Sequence, residues 1–259
     1  MTSPAGSAEP CAQAPASRQN RFGQPIGAAV PGWTPRPRPM RQVLSGRYCR
    51  LEPVSVERHA AELFASYAES ADERDWTYLF AERPATRAQL EAYLQSLARS
   101  EDPLYFTVID TATGGALGTA ALLRIEPTHG VIEVGAITFS PRMQRTRLSS
   151  EAIFLFMQLV FDGLGYRRLE WKCDSLNAPS RAAAERYGFS FEGIFRRAIV
   201  YKGRNRDTAW YALLAEEWPA VRRAFEAWLQ PSNFTAEGRQ RRSLGEIRAS
   251  LASSGMPPA

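Results

Sequence analysis

Residues 130–161, GVIEVGAITFSPRMQRTRLSSEAIFLFMQLVF, constrain the fold more than any other stretch. They read as a strand from Val131 to Phe139, a short polar turn with Arg142, Arg145 and Arg147, and a helix that is apolar on nearly every face. A strand that delivers the chain into a helix N-terminus creates a site for an anion, because the first N–H groups of a helix lack intrahelical acceptors and the dipole favours negative charge there. After Gly163-Leu164-Gly165 the segment RRLEWKCD forms another strand. A strand, helix, strand order of this length implies a right-handed parallel crossover, with the ligand at the C-terminal ends of the two strands.

The rest of the chain supplies a mixed sheet and its helices. YCRLEPV is a first strand, followed by a helix over Val56–Glu69 with Ala60, Leu63, Phe64 and Tyr67 at helical spacing. A second helix starts at Thr86, its N-cap, and carries Leu90, Tyr93, Leu94 and Leu97 on one face. LYFTVID and ALGTAALLRIE flank the turn TATGG and form an antiparallel pair. On strict alternation Val131, Glu133, Gly135, Ile137 and Phe139 share one face of the next strand, which places Glu133 among apolar neighbours. NAPSRAAAERYGF is a short helix capped at Asn177, with Pro179 in its first turn. FEGIFRRAIVYKGRNRDTAWYALL gives two closing strands around a GRN turn, and EEWPAVRRAFEAWL is an amphipathic helix whose Phe225, Trp228 and Leu229 face covers either the domain's own core or a second subunit.

Composition divides the chain into an arm over 1–45, a domain over 46–217, and a C-terminal helix with a loose tail over 218–259. Residues 1–40 hold 8 of the 18 prolines. Residues 1–50 carry a net charge of +6 and 231–259 a net +2, so the overall +5 leaves −3 for residues 51–230. The basicity therefore sits at the ends, which argues against a nucleic-acid-binding core and is compatible with a cationic acceptor. Three dispersed cysteines and two histidines indicate neither a disulfide framework nor a metal site. No apolar run reaches signal-peptide length at the N-terminus or transmembrane length elsewhere, so no membrane association is expected and the cytoplasm is the default location.

Four blocks in order, EVGAITFSPRMQRTRLSSEA, NAPSRAAAERYGF, FEGIFR and GRNRDTAWYALL, resemble the GCN5-related N-acetyltransferase (GNAT) family, in the branch that includes enzymes acetylating ribosomal-protein N-termini. The resemblance covers about Gly46 to Leu214. It implies an α+β fold with a mixed, V-shaped central sheet flanked by helices, acetyl-CoA bound where the two central parallel strands splay, and transfer of the acetyl group to a primary amine. It also implies a monomer or homodimer. The family's pyrophosphate loop corresponds to Gln144, Arg145, Thr146, Arg147, Leu148 and Ser149, with Arg147 where a glycine is usual. Either the loop keeps its path around a non-glycine residue, or it shifts and the Arg147 guanidinium meets a phosphate.

Acyl transfer to an amine needs a proton acceptor, since a lysine amine titrates near ~10.4 and an α-amine near ~7.7–8.0. Glu133 is the candidate base, at the spacing before Gln144 where histone-type members place their catalytic glutamate. The alternative is a buried glutamate tied to an arginine. Ser180 matches a serine that meets the thioester sulfur, and Asn177 the pantetheine amides; both residue types also cap helices. An oxyanion donor is expected from the main chain around Thr138, Phe139 and Ser140. On the acceptor side the resemblance points to Asp75, Trp76, Tyr78, Arg196, Arg204 and Asp207. Three readings stay open: a small-molecule amine acceptor, a protein N-terminus, and a non-catalytic acyl-CoA-binding module.

Overall fold

The computed structural model describes residues 18–253. Two compact units divide at Thr34. The described part of the first is a hairpin of two short strands, β1 (Arg18–Gln19) and β2 (Pro25–Ile26), whose turn is held by the Asn20 carboxamide oxygen accepting from the N–H groups of Phe22 and Gln24.

The second unit contains an eight-stranded mixed sheet. Its elements in chain order are β3 (Leu44–Ser45), β4 (Cys49–Pro53), α1 (Val56–Ala68), α2 (Arg87–Arg99), β5 (Leu104–Asp110), β6 (Ala116–Glu126), β7 (Val131–Phe139), α3 (Arg147–Gln158), β8 (Arg168–Asp174), α4 (Ala178–Tyr187), β9 (Ser190–Tyr201), β10 (Arg204–Leu214), α5 (Trp218–Trp228) and α6 (Leu244–Ser253). The spatial order is β3-β4-β5-β6-β7-β8-β10-β9, antiparallel throughout except for the β7–β8 pair. That pair is the expected crossover, with α3 and a π-helical turn at Leu159–Gly163 between the two strands.

The apolar character of α3 has a packing reason. It is buried from Ser149 to Met157, with Phe156 edge-on to Phe106 of β5 and Phe154 stacked on Phe225 of α5. Helices α3 to α6 contribute to one hydrophobic cluster and α1 and α2 to a second, across the sheet. Phe225, Trp228 and Leu229 are all buried in the first cluster, so that face covers the domain's own core. Residues 231–253, read from composition as a loose tail, carry a 3-10 turn at Pro231–Asn233 and α6, whose Leu244 and Ile247 enter the same cluster.

Local signals act where the sequence placed them. Thr86 and Gln89 form a reciprocal capping box at the start of α2, and the Asn177 side chain accepts from Ser180 N–H at the start of α4. Two expectations need correction. The closing hairpin turns at Lys202-Gly203, with Tyr201 paired to Arg204; both turn residues have positive φ, 48° and 69°, the geometry that matches the twist of paired strands. Strict alternation along β7 also fails. Thr119 pairs with Thr138 but Ala121 with Gly135, so β7 carries one extra residue, at a bulge where Ala136 has φ 48°. Glu133 lies before the bulge, and Ile137 and Phe139 lie beyond it.

A carboxylate anchors α3 to the sheet edge. Glu151, 4% exposed, accepts from the N–H groups of Arg47 (2.9 Å), Tyr48 (2.6 Å) and Cys49 (2.7 Å). Gly46 permits this approach, because a Cβ there would lie 2.6 Å from the Glu151 carboxyl group. Stranding a buried polar group costs roughly 1–3 kcal/mol, so Glu151→Ala is expected to destabilise the fold by about 3 kcal/mol or more, with Glu151→Gln intermediate, as measured by urea unfolding.

Candidate active site

The parallel pairing of β7 and β8 lasts three residues: Val131 with Arg168, Ile132 with Leu169, and Glu133 with Glu170. Beyond Glu133 the strands separate, although β7 continues to Phe139 and β8 to Asp174. The cleft is lined by main chain that the sheet would otherwise have consumed. Ser140 N–H is taken by the Leu117 carbonyl at 2.9 Å. Because successive strand residues point their N–H groups to alternate sides, Phe139 N–H faces the side from which β8 has withdrawn. This singles out Phe139 among the three expected donors. Thr138 is buried, and its carbonyl accepts from the Tyr67 hydroxyl at 3.3 Å.

The turn after β7 closes on itself. Gln144 is exposed, donates its main-chain N–H to Ser140 O at 3.1 Å, and donates its carboxamide to Phe139 O at 2.9 Å. Arg145 takes the left-handed conformation, φ 59°. Thr146 is the N-cap of α3 without a side-chain cap bond, its hydroxyl being spent on Met143 O at 2.7 Å. Ser149 and Ser150 likewise turn their hydroxyls back onto Thr146 O. The first-turn N–H groups of Arg147, Leu148 and Ser149 are therefore left without a side-chain acceptor, beside the mouth of the cleft.

Arg147 takes its place from the start of α3. It is the first helical residue of α3, where any side chain is accommodated, and the left-handed position of the turn falls on Arg145 instead. Its guanidinium lies over the Tyr48 ring, 4.3 Å from the centroid, with Phe234 at 5.5 Å. The Arg147 guanidinium thus packs against aromatic rings. Leu148 is half-buried, and its carbonyl accepts from the Cys49 thiol at 3.7 Å.

Glu133 is only 6% exposed and is paired with a lysine. Lys172 Nζ lies 2.9 Å from Glu133 Oε2, and Arg124 Nε 3.7 Å from the same oxygen. The other oxygen, Oε1, lies over Gly135, where a Cβ would approach it to 3.4 Å. Burial raises the Glu133 pKa above the usual carboxylate range, and attraction to Lys172 and Arg124 offsets this only in part. Ser180 Oγ accepts from the Trp171 indole N–H at 3.0 Å. Asn177 serves as the α4 N-cap.

Of the acceptor-side residues, Asp75, Trp76 and Tyr78 lie in the segment between α1 and α2 and Arg204 reaches it, whereas Arg196 and Asp207 lie on β9 and β10. Trp76, 2% exposed, packs edge-on against Tyr67 and Tyr93, so its ring is a core element. Asp75 accepts from Ser70 Oγ at 2.6 Å. Tyr78 donates its hydroxyl to Leu176 O at 3.2 Å, just past the end of β8, and Arg204 donates to Thr77 O. Lys202 was not singled out from sequence, yet it donates to Trp76 O at 2.9 Å and to Glu82 at 2.8 Å. Arg196 is exposed on β9. Asp207 accepts from Arg197 N–H at 2.7 Å and from the Asn205 carboxamide at 2.8 Å, and these bonds hold its pKa below the usual range. Another group missed from sequence is Asp174, which receives the Tyr201 hydroxyl at 2.8 Å. An open depression of about 830 Å³ is lined by Asp72, Glu73, Arg74, Glu82, Lys202 and Arg204, among others.

Comparison with known proteins fits this geometry. Residues 49–190 match the acetyltransferase (GNAT) domain model. The chain belongs to the GNAT acetyltransferase family. A crystal structure of a GCN5-related N-acetyltransferase from Brucella melitensis is 52% identical, with a TM-score of 0.83 over 85% of this chain and 100% of that one. A probable GNAT-family acetyltransferase from Chromobacterium violaceum is 37% identical, with a TM-score of 0.69 over 75% of this chain and 97% of that one. Among curated relatives, the uncharacterized N-acetyltransferase YnaD of Bacillus subtilis is 30% identical over 86 residues, which span 33% of this chain and 50% of its own. Family membership implies use of acetyl-CoA, and the uncapped α3 N-terminus beside the splay fits a pyrophosphate. Among the described residues no group of three or more His, Cys, Asp or Glu side chains is placed to hold a metal, and no helix is long and apolar enough to cross a membrane.

Removing the Ser180 hydroxyl leaves the Trp171 indole N–H without its acceptor. Ser180→Ala is therefore expected to lower unfolding free energy by about 1–3 kcal/mol, read by chemical denaturation.

Proposed function

We propose that this protein transfers the acetyl group of acetyl-CoA to the primary amine of a small molecule, by direct attack within a ternary complex. The separation of β7 from β8 after three paired residues carries the reading, because it opens a cleft that leads past Glu133 and the Phe139 N–H to the uncapped N-terminus of α3. When bound, acetyl-CoA supplies the activated acyl group. The N–H groups of Arg147, Leu148 and Ser149 hold its pyrophosphate, with Gln144, Arg145 and Thr146 forming the turn. Asn177 and Ser180 lie along the opposite wall, at the start of α4, to meet the pantetheine arm. Phe139 N–H donates to the carbonyl oxygen as charge grows on it.

Glu133 takes the proton released when the amine nitrogen bonds to the acyl carbon and the carbon–sulfur bond breaks, and the Ser180 hydroxyl supports the departing sulfur. Glu133 Oε1 serves this role, since Oε2 is held by Lys172 and the missing side chain at Gly135 leaves room beside Oε1. The tethers from Tyr78, Lys202 and Arg204 narrow the acceptor side. The mixed charges around Asp75, Arg196, Arg204 and Asp207 and along the depression suit an acceptor that bears an anionic group as well as its amine. This favours a small molecule over a protein chain.

Thiol release from acetyl-CoA, measured with amino acids, polyamines, aminoglycosides and peptides bearing free N-termini, tests the assignment. Highest kcat/KM with a small amine supports it, preference for peptides transfers the reading to α-amine acetylation, and tight CoA binding with no release for any acceptor removes catalysis altogether. Glu133→Gln is expected to cost on the order of 10²-fold in kcat/KM near neutral pH with a lysine-like amine, and progressively less as pH approaches ~10.4, where the amine is neutral unaided. The wild-type acid limb should lie above the ordinary glutamate range, because the raised pKa means the carboxylate is lost early as pH falls. A loss that is constant across pH would assign Glu133 a structural role.

A further inference from the structure

We infer that Lys172 is a positioning residue for the acetyl transfer, holding Glu133 ionised and aimed along the cleft by bridging it to Glu170 beneath the Trp210 ring. The inference rests on the reading of Glu133 as base and extends it to the machinery that keeps a buried carboxylate usable.

The geometry is specific to three adjacent strands. Glu133 of β7 and Glu170 of β8 are partners at the last paired position before the splay, and Lys172 follows Glu170 by two residues, on the same face of β8. Lys172 is paired in turn with Trp210 of β10. The ammonium therefore sits at a crossing point: it donates to Glu133 Oε2 at 2.9 Å and to Glu170 Oε2, and lies 3.9 Å from the centroid of the Trp210 ring. Its side chain is 6% exposed, and those of Glu133 and Glu170 are 7% and 9%. Two carboxylates this close in a dry setting cannot both ionise without a cation between them. An amine clamped on two acids is also a poor acyl acceptor, which keeps Lys172 from being acetylated itself.

Every charged group facing the bridge has a defined effect. Arg124 of β6 approaches Glu133 Oε2 at 3.7 Å from a largely exposed position. Arg168 of β8 donates to Glu170 Oε1 at 2.7 Å and pairs on its far side with Glu192 of β9. Burial acts to raise the Glu170 pKa, but the bonds from Lys172 and Arg168 outweigh it and hold Glu170 below the usual range. Glu170 thus stays charged and pushes the Glu133 pKa up, while Lys172 pulls it down. The two neighbours of the base act in opposite directions.

That opposition gives the test. The pH dependence of kcat/KM with acetyl-CoA and the best amine of the panel is measured for wild type, Lys172→Met, Lys172→Arg and Glu170→Gln. A 13C-detected titration of the Glu133 carboxyl in the unliganded protein is run alongside. Lys172→Met is expected to move the acid midpoint up by about 1–3 pH units, and Glu170→Gln to move it down; Lys172→Arg should restore most of the wild-type profile. If Lys172→Met does not fold, the Glu170→Gln shift and the Lys172→Arg profile still decide. Midpoints that stay at the wild-type value, or move the same way in Lys172→Met and Glu170→Gln, overturn the inference. Retention of the acid limb in Glu133→Gln would instead remove the base assignment on which it stands.

Discussion

The arrangement depends on a parallel strand pair that stops being a pair. Two adjacent strands normally satisfy each other's main-chain groups along their shared length, and stopping after three residues leaves N–H and carbonyl groups without strand partners in the middle of a sheet. Such an opening persists only if both flanks are fixed independently. On the β7 side the flank is fixed by pairing with β6 up to Phe139 and by the folded-back turn at Ser140 to Thr146. On the β8 side it is fixed by β10, which pairs with β8 along its whole length to Asp174. The cleft is thus a property of the sheet's connectivity, and the side chains lining it are presented on rigid strands.

The same logic explains why α3 is so heavily buried. Its N-terminus is useful as an anion site only if the helix cannot rotate or slide, and that is enforced at three places: by Phe154 and Phe156 against neighbouring rings, by Glu151 on three main-chain N–H groups, and by Arg147 over Tyr48. Two of these, from Glu151 and Arg147, reach the segment leading into β4, far earlier in the chain. The far edge of the sheet therefore helps set the position of the turn that follows β7.

Much of this architecture was legible in the sequence because it rests on local patterns. The crossover, the capping box at Thr86, the Asn177 cap and the β5–β6 hairpin follow from periodicity and from residue types with strong positional preference. What was hidden depends on register. The bulge at Ala136 adds one residue to a strand and leaves no compositional mark. The Glu133–Lys172–Glu170 bridge joins residues of two strands and lies under a third, and which lysine meets which acid is fixed only by pairing; the arginine that the sequence suggested is present as Arg124, but Lys172 is the nearer partner. A glycine is required only where the chain needs positive φ, and in this turn that conformation falls on Arg145, which sequence alone does not reveal. Residues 244–253 carry Leu244, Ile247 and Leu251 at helical spacing, a period masked by the Gly, Ser and Pro content of the segment around them.

The use of arginine for nearly every positive charge has a chemical consequence. A protein that holds a thioester risks modification of its own surface amines, and guanidinium groups, protonated throughout the physiological range, do not compete as nucleophiles. Only Lys172 and Lys202 carry side-chain amines. Their side chains are 6% and 13% exposed, and both are held by carboxylates, Lys202 also by a main-chain carbonyl. The lysine side chains thus offer no free amine to an acyl donor.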